Sequence, residues 1–229
     1  MPVLLHQHLY EPGEWGLWEI TESEEELSTG LELFPAEAEQ LSCIRGTGRR
    51  REFLAARKLL HHMSGRDVRG ELYKDDAGKP HLRSSHFHVS ISHTGGYAAA
   101  AAHPNPCGID VQRIVPRIHR LAHKFVSPAE EAQLRDATRL EQLHLIWSAK
   151  EALYKAYGRR QLDFKENLYV DFGTYQPGQT AAEAMLRRGE IQMLFDVEMR
   201  TFDNFVLVAC VERTPPPPHR ESKGSTSDL

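Results

Sequence analysis

The sequence predicts an α+β protein made of two halves, residues 1–105 and 106–213, followed by a tail over 214–229. Two observations carry this. Strand-like and helix-like segments occur in similar proportion in both stretches, although the stretches share no sequence repeat. The 229 residues are 40% hydrophobic and 26% charged, enough apolar side chain to bury a core. The tail, TPPPPHRESKGSTSDL from Thr214, is proline-rich and then polar, and is expected to be disordered for want of apolar surface.

In chain order, WGLWEI at 15–20 reads as a short strand, and Thr21 with Glu24 fits a capping box opening a short acidic helix. From about Arg49 to Met63, the residues Phe53, Leu54, Ala56, Leu59 and Leu60 fall at helical spacing, and Gly65 follows the end. The other faces of that helix carry Arg50, Arg51, Arg57 and Lys58. LYKDDAGKPHL reads as two extended pieces around a DDAG turn; HFHVSIS and YAAAAA, joined by TGG, form a hairpin of buried strands, and CGIDV is the next strand. Past Arg113 the pattern turns helical. Ile118, Leu121, Ala122 and Phe125 space a helix over 117–126, and Ser127, Pro128 and Glu130 supply an N-cap, a first-turn proline and a capping-box acid for another. A third runs from about 139 to 157 and stops at Gly158, after which IQMLFDVEMR and NFVLVACVER flank a TFDN turn as strands.

Composition excludes several classes. With 28 basic and 32 acidic residues the net charge is -4, which gives no global field for nucleic acid. Cys43, Cys107 and Cys210 lie far apart without a CxxC pair, so neither a disulfide framework nor a zinc ribbon is indicated, and a reducing compartment is expected. His86 and His88 form an HxH pair near His93, but no spacing places a fourth zinc ligand. The start, MPVLLHQHLYEPGEW, has no basic n-region, and no stretch approaches the roughly 18 apolar residues of a membrane span. A cytoplasmic chain with no membrane partner is expected.

Two stretches carry chemistry. In GIDVQRI (108–114) a carboxylate, Asp110, stands among Gly108, Ile109 and Val111, where burial demands a partner for the charge; Gln112 follows on the same strand face. In WSAKEALYKAYG (147–158), Ile146, Ala149, Leu153 and Ala156 make the packed stripe at about 100° per residue. Glu151 and Lys155 project together from nearly the opposite side, one turn beyond Trp147. Each feature alone has a plain reading, as a strand-end salt bridge and as a surface helix pair worth about 0.2–0.5 kcal/mol.

The order of motifs changes their meaning: GKP (78–80), VSISHT (89–94), GIDVQ (108–112), WSAKEALYK (147–155). At these residues the chain resembles the 4'-phosphopantetheinyl transferases of the longer, pseudo-dimeric, surfactin-synthetase-activator type, from about Arg50 to Tyr157 and less distinctly to the last strands. The resemblance implies two similar α+β halves about a pseudo-twofold axis, with coenzyme A between them. It implies a Mg²⁺-dependent transfer of the phosphopantetheine arm of coenzyme A to a serine of an apo acyl or peptidyl carrier protein, releasing adenosine 3',5'-bisphosphate. Displacement at a pyrophosphate phosphorus asks the protein to position reactants and offset negative charge, which suits an ion held by carboxylates.

On this reading Asp110 and Glu151 are metal ligands. Glu151, or a water it orients, is the base for the carrier serine; Lys155 neutralises or protonates the departing phosphate, and Lys150 contacts the same phosphates. Gln112 stands where many relatives carry a glutamate, and its amide is expected to reach the ion weakly or through water. Lys79, Ser92 and His93 are implied at the nucleotide and pyrophosphate, and Arg50, Arg51 and Arg57 at the 3'-phosphate. An acidic carrier is expected to dock on the segment bearing Ile118, Arg120, His123 and Lys124, and the chain to be a monomer. Two other readings keep the same residues: a metal-dependent phosphodiesterase or hydrolase whose carboxylates activate water, and a non-catalytic homologue that holds coenzyme A or a carrier protein.

Overall fold

The computed structural model describes residues 3–159 and 161–213, so the tail expected at 214–229 lies outside the described residues. The first half contains β1 (Val3–Leu9), β2 (Gly13–Glu19), α1 (Glu24–Ser28), α2 (Pro35–Cys43), α3 (Thr47–Ser64), β3 (Leu72–Lys74), β4 (Pro80–Leu82), β5 (His88–Thr94) and β6 (Tyr97–His103). Its six strands form one antiparallel sheet ordered β1-β2-β6-β5-β4-β3. Leu54, Ala55, Leu59 and Met63 of α3 pack onto Trp18, Val89, Ala98 and Ala100 of that sheet. The second half contains β7 (Cys107–Arg113), α4 (Ile118–Leu121), α5 (Pro128–Glu131), α6 (Arg139–Tyr157), β8 (Leu168–Asp171), β9 (Ala181–Arg188), β10 (Ile191–Thr201) and β11 (Phe205–Glu212). A five-stranded antiparallel sheet ordered β7-β11-β10-β9-β8 carries α6, whose Leu145, Ala149, Leu153 and Ala156 meet Val197, Met199, Val206 and Val208. The expected architecture, two α+β halves, is the one observed. Among the described residues no helix is long and apolar enough to cross a membrane.

Two local expectations need correction. The capping box of α1 is made by Ser23 and Glu26, not by Thr21 and Glu24. Thr21 follows directly on the strand extension, where the Ile20 amide donates to the Gly96 carbonyl at 2.7 Å, so the chain turns into the helix two residues later than expected. The helix expected over 117–126 breaks into α4 and a 3-10 turn at Ala122–Lys124. The capping box of Ser127 and Glu130 and the stop at Gly158, with φ of 66°, are as expected.

The joint between the halves explains the serines of VSISHT. β7 is the edge strand of the second sheet, so one side of its backbone needs hydrogen-bond partners. Ser90 Oγ accepts from the Ile109 amide at 3.0 Å and Ser92 Oγ from the Val111 amide at 3.2 Å, so two hydroxyls of β5 close the edge. Leu9, Trp15, Leu17, Ala99 and Ala101 of the first sheet bury Ile109, Val111, Leu207 and Ala209 of the second behind this seam. On the other face of β7 the helix α6 comes so close that a Cβ built on Gly108 would lie 1.9 Å from the Ala152 carbonyl oxygen. Only glycine fits there, and this contact sets the Glu151–Lys155 turn of α6 against Asp110.

Candidate active site

Strand β7 and helix α6 bring the two chemical stretches together. Lys155 Nζ donates to Asp110 Oδ1 at 2.8 Å and to the Ile109 carbonyl at 2.9 Å. Ser92 Oγ donates to the same Oδ1 at 2.9 Å, while Oδ2 is buried without a hydrogen-bond partner. Burial, and then the charge of Asp110, push the Glu151 carboxyl above the usual range, against the pull of Lys155. Asp110 is thus bound to Lys155, and Glu151 is near enough to both to feel their charges. Gln112 shares the strand face of Asp110, and its amide donates weakly to the Arg113 carbonyl at 3.4 Å. The donor set is two carboxylates and one amide; among the described residues no group of three His, Cys, Asp or Glu side chains is arranged to hold a metal ion.

Beside this cluster a cleft of about 690 Å³ runs between the halves, within the usual size of small-molecule sites. Its wall includes Arg45, Arg49, Arg57, Lys74, Lys79, Lys155 and Arg159, with His93, Tyr154 and Phe53. Lys79 bridges the halves: its Nζ donates to the Ala156 carbonyl at 2.6 Å, at the carbonyl end of α6 where a cation is favoured. Burial pulls Lys79 below the usual lysine range. His93 Nδ1 lies 2.9 Å from Glu52 Oε2.

Several side chains singled out from the sequence lie elsewhere. Lys150 is fully buried, and its Nζ donates to Glu130 Oε2 at 2.7 Å and to the Phe125 and Phe164 carbonyls at 2.6 and 2.7 Å. It ties α6 to the 118–131 segment and does not reach phosphates in the cleft. Arg50 pairs with Glu24 at 2.7 Å and donates to the Leu41 carbonyl, and Arg51 donates to the Glu22 carbonyl; neither lines the cleft. Ser92 spends its hydroxyl on Asp110 and Val111, so it orients the acid rather than facing a nucleotide. Arg57 does line the cleft, but its Nε is bound to the buried Glu37 at 3.2 Å, and burial pulls the guanidinium down to about 10. Ile118 is turned into the core, leaving Arg120, Leu121, His123 and Lys124 as the exposed part of the expected docking segment.

Arg45, Arg49, Lys74, Glu52 and Arg159 also line the cleft, and the sequence reading does not single them out. The signal for Arg49 was present: it stands one turn before Phe53 and two before Arg57, on the same stripe of α3.

Comparisons with known proteins match both halves. The family model described as 4'-phosphopantetheinyl transferase superfamily matches residues 106–203, and the one described as 4'-phosphopantetheinyl transferase N-terminal domain matches 37–103. Similar proteins include the 4'-phosphopantetheinyl transferase psf-1 of Bacillus pumilus, 32% identical over 108 residues, which is 45% of this chain and 46% of that protein. A 4'-phosphopantetheinyl transferase of Bacillus subtilis is 30% identical over 86 residues, 36% of this chain and 38% of its own. The 4'-phosphopantetheinyl transferase Sfp of Bacillus subtilis (strain 168) is 32% identical over 83 residues, 35% of this chain and 36% of its own. The chain thus covers less than half the length of these relatives.

Proposed function

We propose that this chain, which belongs to the 4'-phosphopantetheinyl transferase superfamily and is of the Sfp-like type, moves the phosphopantetheine arm of coenzyme A to a serine of an apo acyl or peptidyl carrier protein. The observation that carries the reading is the unpartnered oxygen of Asp110, held against Lys155 and within reach of the charge of Glu151, beside a cationic cleft. A buried Asp110 oxygen without a partner, near a second acid that burial and then the charge of Asp110 push up, fits a divalent cation, which relieves both. Asp110 and Glu151 would hold Mg²⁺, with Gln112 as a weak or water-mediated third donor. The ion, when bound, supplies charge neutralisation and polarisation at the pyrophosphate.

The remaining work belongs to the chain. The carrier serine oxygen forms a bond to the phosphorus on the pantetheine side, and the bond from that phosphorus to the bridging oxygen breaks, releasing adenosine 3',5'-bisphosphate. Glu151 takes the serine proton, and Lys155 offsets the charge on the departing oxygen. Arg49 and Lys79 in the cleft wall bind the phosphates of the nucleotide, and Arg57, held by Glu37, backs that wall. Arg120, His123 and Lys124 around the exposed Leu121 form a cationic, partly apolar surface suited to an acidic carrier. The same reading makes the chain a cytoplasmic monomer, in which its three cysteines stay thiols.

Incubation with apo carrier protein, coenzyme A and Mg²⁺, followed by intact mass spectrometry, tests it. One phosphopantetheine added to the carrier serine is expected. Free phosphopantetheine with an unmodified carrier would establish the hydrolase instead, and no turnover would leave a binding protein.

A further inference from the structure

Glu52 is the only acidic side chain among the described residues that line the cleft. It projects from α3 and its side chain is only 12% exposed, and the one partner of its carboxylate among the described residues is His93, with Nδ1 at 2.9 Å from Oε2. A carboxylate in a site for phosphates opposes their binding by simple Coulomb repulsion, so its presence there asks for a reason. His93 supplies one. Its side chain is 49% exposed at the end of β5, next to the Ser92 that holds Asp110, and so has little packing to fix the ring.

We propose that Glu52 is a positioning residue for His93. The carboxylate accepts the Nδ1 proton, holds the ring in one orientation and leaves Nε2 turned to the cleft, as carboxylates do for the imidazoles of metal and catalytic sites. With a nucleotide bound, the Nε2 edge of the ring faces a phosphate oxygen, and the contact that Glu52 holds in place outweighs the repulsion of its carboxylate. This rests on reading the cleft as the coenzyme A site.

The two accounts of Glu52 differ in sign. Removal of a negative charge alone strengthens binding of a polyanion; loss of the His93 anchor weakens it. The test is titration calorimetry of adenosine 3',5'-bisphosphate with the wild-type chain, Glu52→Gln, His93→Ala and the double variant, with thermal melts confirming that each is folded. Glu52→Gln, which keeps the shape of the side chain, is expected to weaken binding about tenfold, a size typical of such orienting carboxylates. In the His93→Ala background the same substitution is expected to have no weakening effect. In turnover, KM for coenzyme A is expected to rise more than kcat falls. Unchanged or tighter binding by Glu52→Gln, or full additivity of the two substitutions, would overturn the role of Glu52 while leaving the cleft as a nucleotide site. Failure of the wild-type chain to bind the bisphosphate would sink the reading of the cleft, and this inference with it.

Discussion

Replacing Lys150 with methionine separates the two roles that its place in the WSAKE stretch allows. In the structure its ammonium meets Glu130 and two carbonyls, and both members of the pair are fully buried. Burial pulls Lys150 below the usual lysine range, and Glu130 opposes that shift. Methionine fills much of the same volume but leaves Glu130 without its countercharge, although the Ser127 amide at 2.8 Å and the Val170 amide at 2.9 Å still donate to it. Breaking a buried ion pair from one side costs about 3–5 kcal/mol, and the two abandoned carbonyls keep the loss within that range rather than below it. At about 2–4 °C per kcal/mol for a chain of this size, the midpoint is expected to fall by roughly 6–20 °C. Urea and thermal unfolding read this directly. Adding Glu130→Gln is expected to recover part of the loss, because the stranded charge is gone. A Lys150→Met chain with wild-type stability but weakened affinity for adenosine 3',5'-bisphosphate would refute the structural role and return Lys150 to the phosphates.

Other expectations follow from the same geometry. Gly108→Ala puts a methyl group into the Ala152 carbonyl, so α6 must move off β7; loss of most transfer activity is expected together with a lower unfolding midpoint, and full activity in the Gly108→Ala chain would show that the close approach is dispensable. Gln112→Glu is expected to lower the Mg²⁺ concentration needed for half-maximal rate, and an unchanged or higher requirement would remove position 112 from the metal shell. Iodoacetamide is expected to label the native chain once, at the exposed Cys43, because burial pushes the Cys107 thiol up to about 12 and raises Cys210 as well; a second adduct before unfolding would contradict this.

Local signals made much of the fold legible. The stripe of Ile146, Ala149, Leu153 and Ala156 and the glycine after Tyr157 mark α6 to the residue, and the Ser127–Glu130 capping box marks α5, because those signals act over one turn of chain. Elements decided by distant partners were not legible. β9 reads AAEAMLRR, a run of good helix formers, yet pairs along its whole length with β10, so tertiary pairing overrides propensity. β1, VLLHQHL, lacks an alternating pattern because only Leu9 at its end is buried. In the site, Asp110, Glu151 and Lys155 stand out by their residue types and order, and the structure puts Lys155 on Asp110 one helical turn from Glu151. Which arginines face the cleft was not, because GRRREFLAAR offers a cation on every side of α3 and only the packing of Phe53 and Ala56 decides among them. Lys150 misled for a related reason: its opposite charge, Glu130, lies on a different helix, and no spacing announces that pairing.

Loading of an apo carrier protein by the Asp110→Asn/Glu151→Gln double variant, followed by intact mass spectrometry at saturating coenzyme A and Mg²⁺, bears most directly on the pairing of these two acids. With the fold retained in a thermal melt, the rate is expected to fall by about 10³-fold or more, since the ion and the base are lost together. A double variant that still charges the carrier within about twofold of the wild-type rate, far short of the loss set by removing such groups, would contradict the assignment of the site.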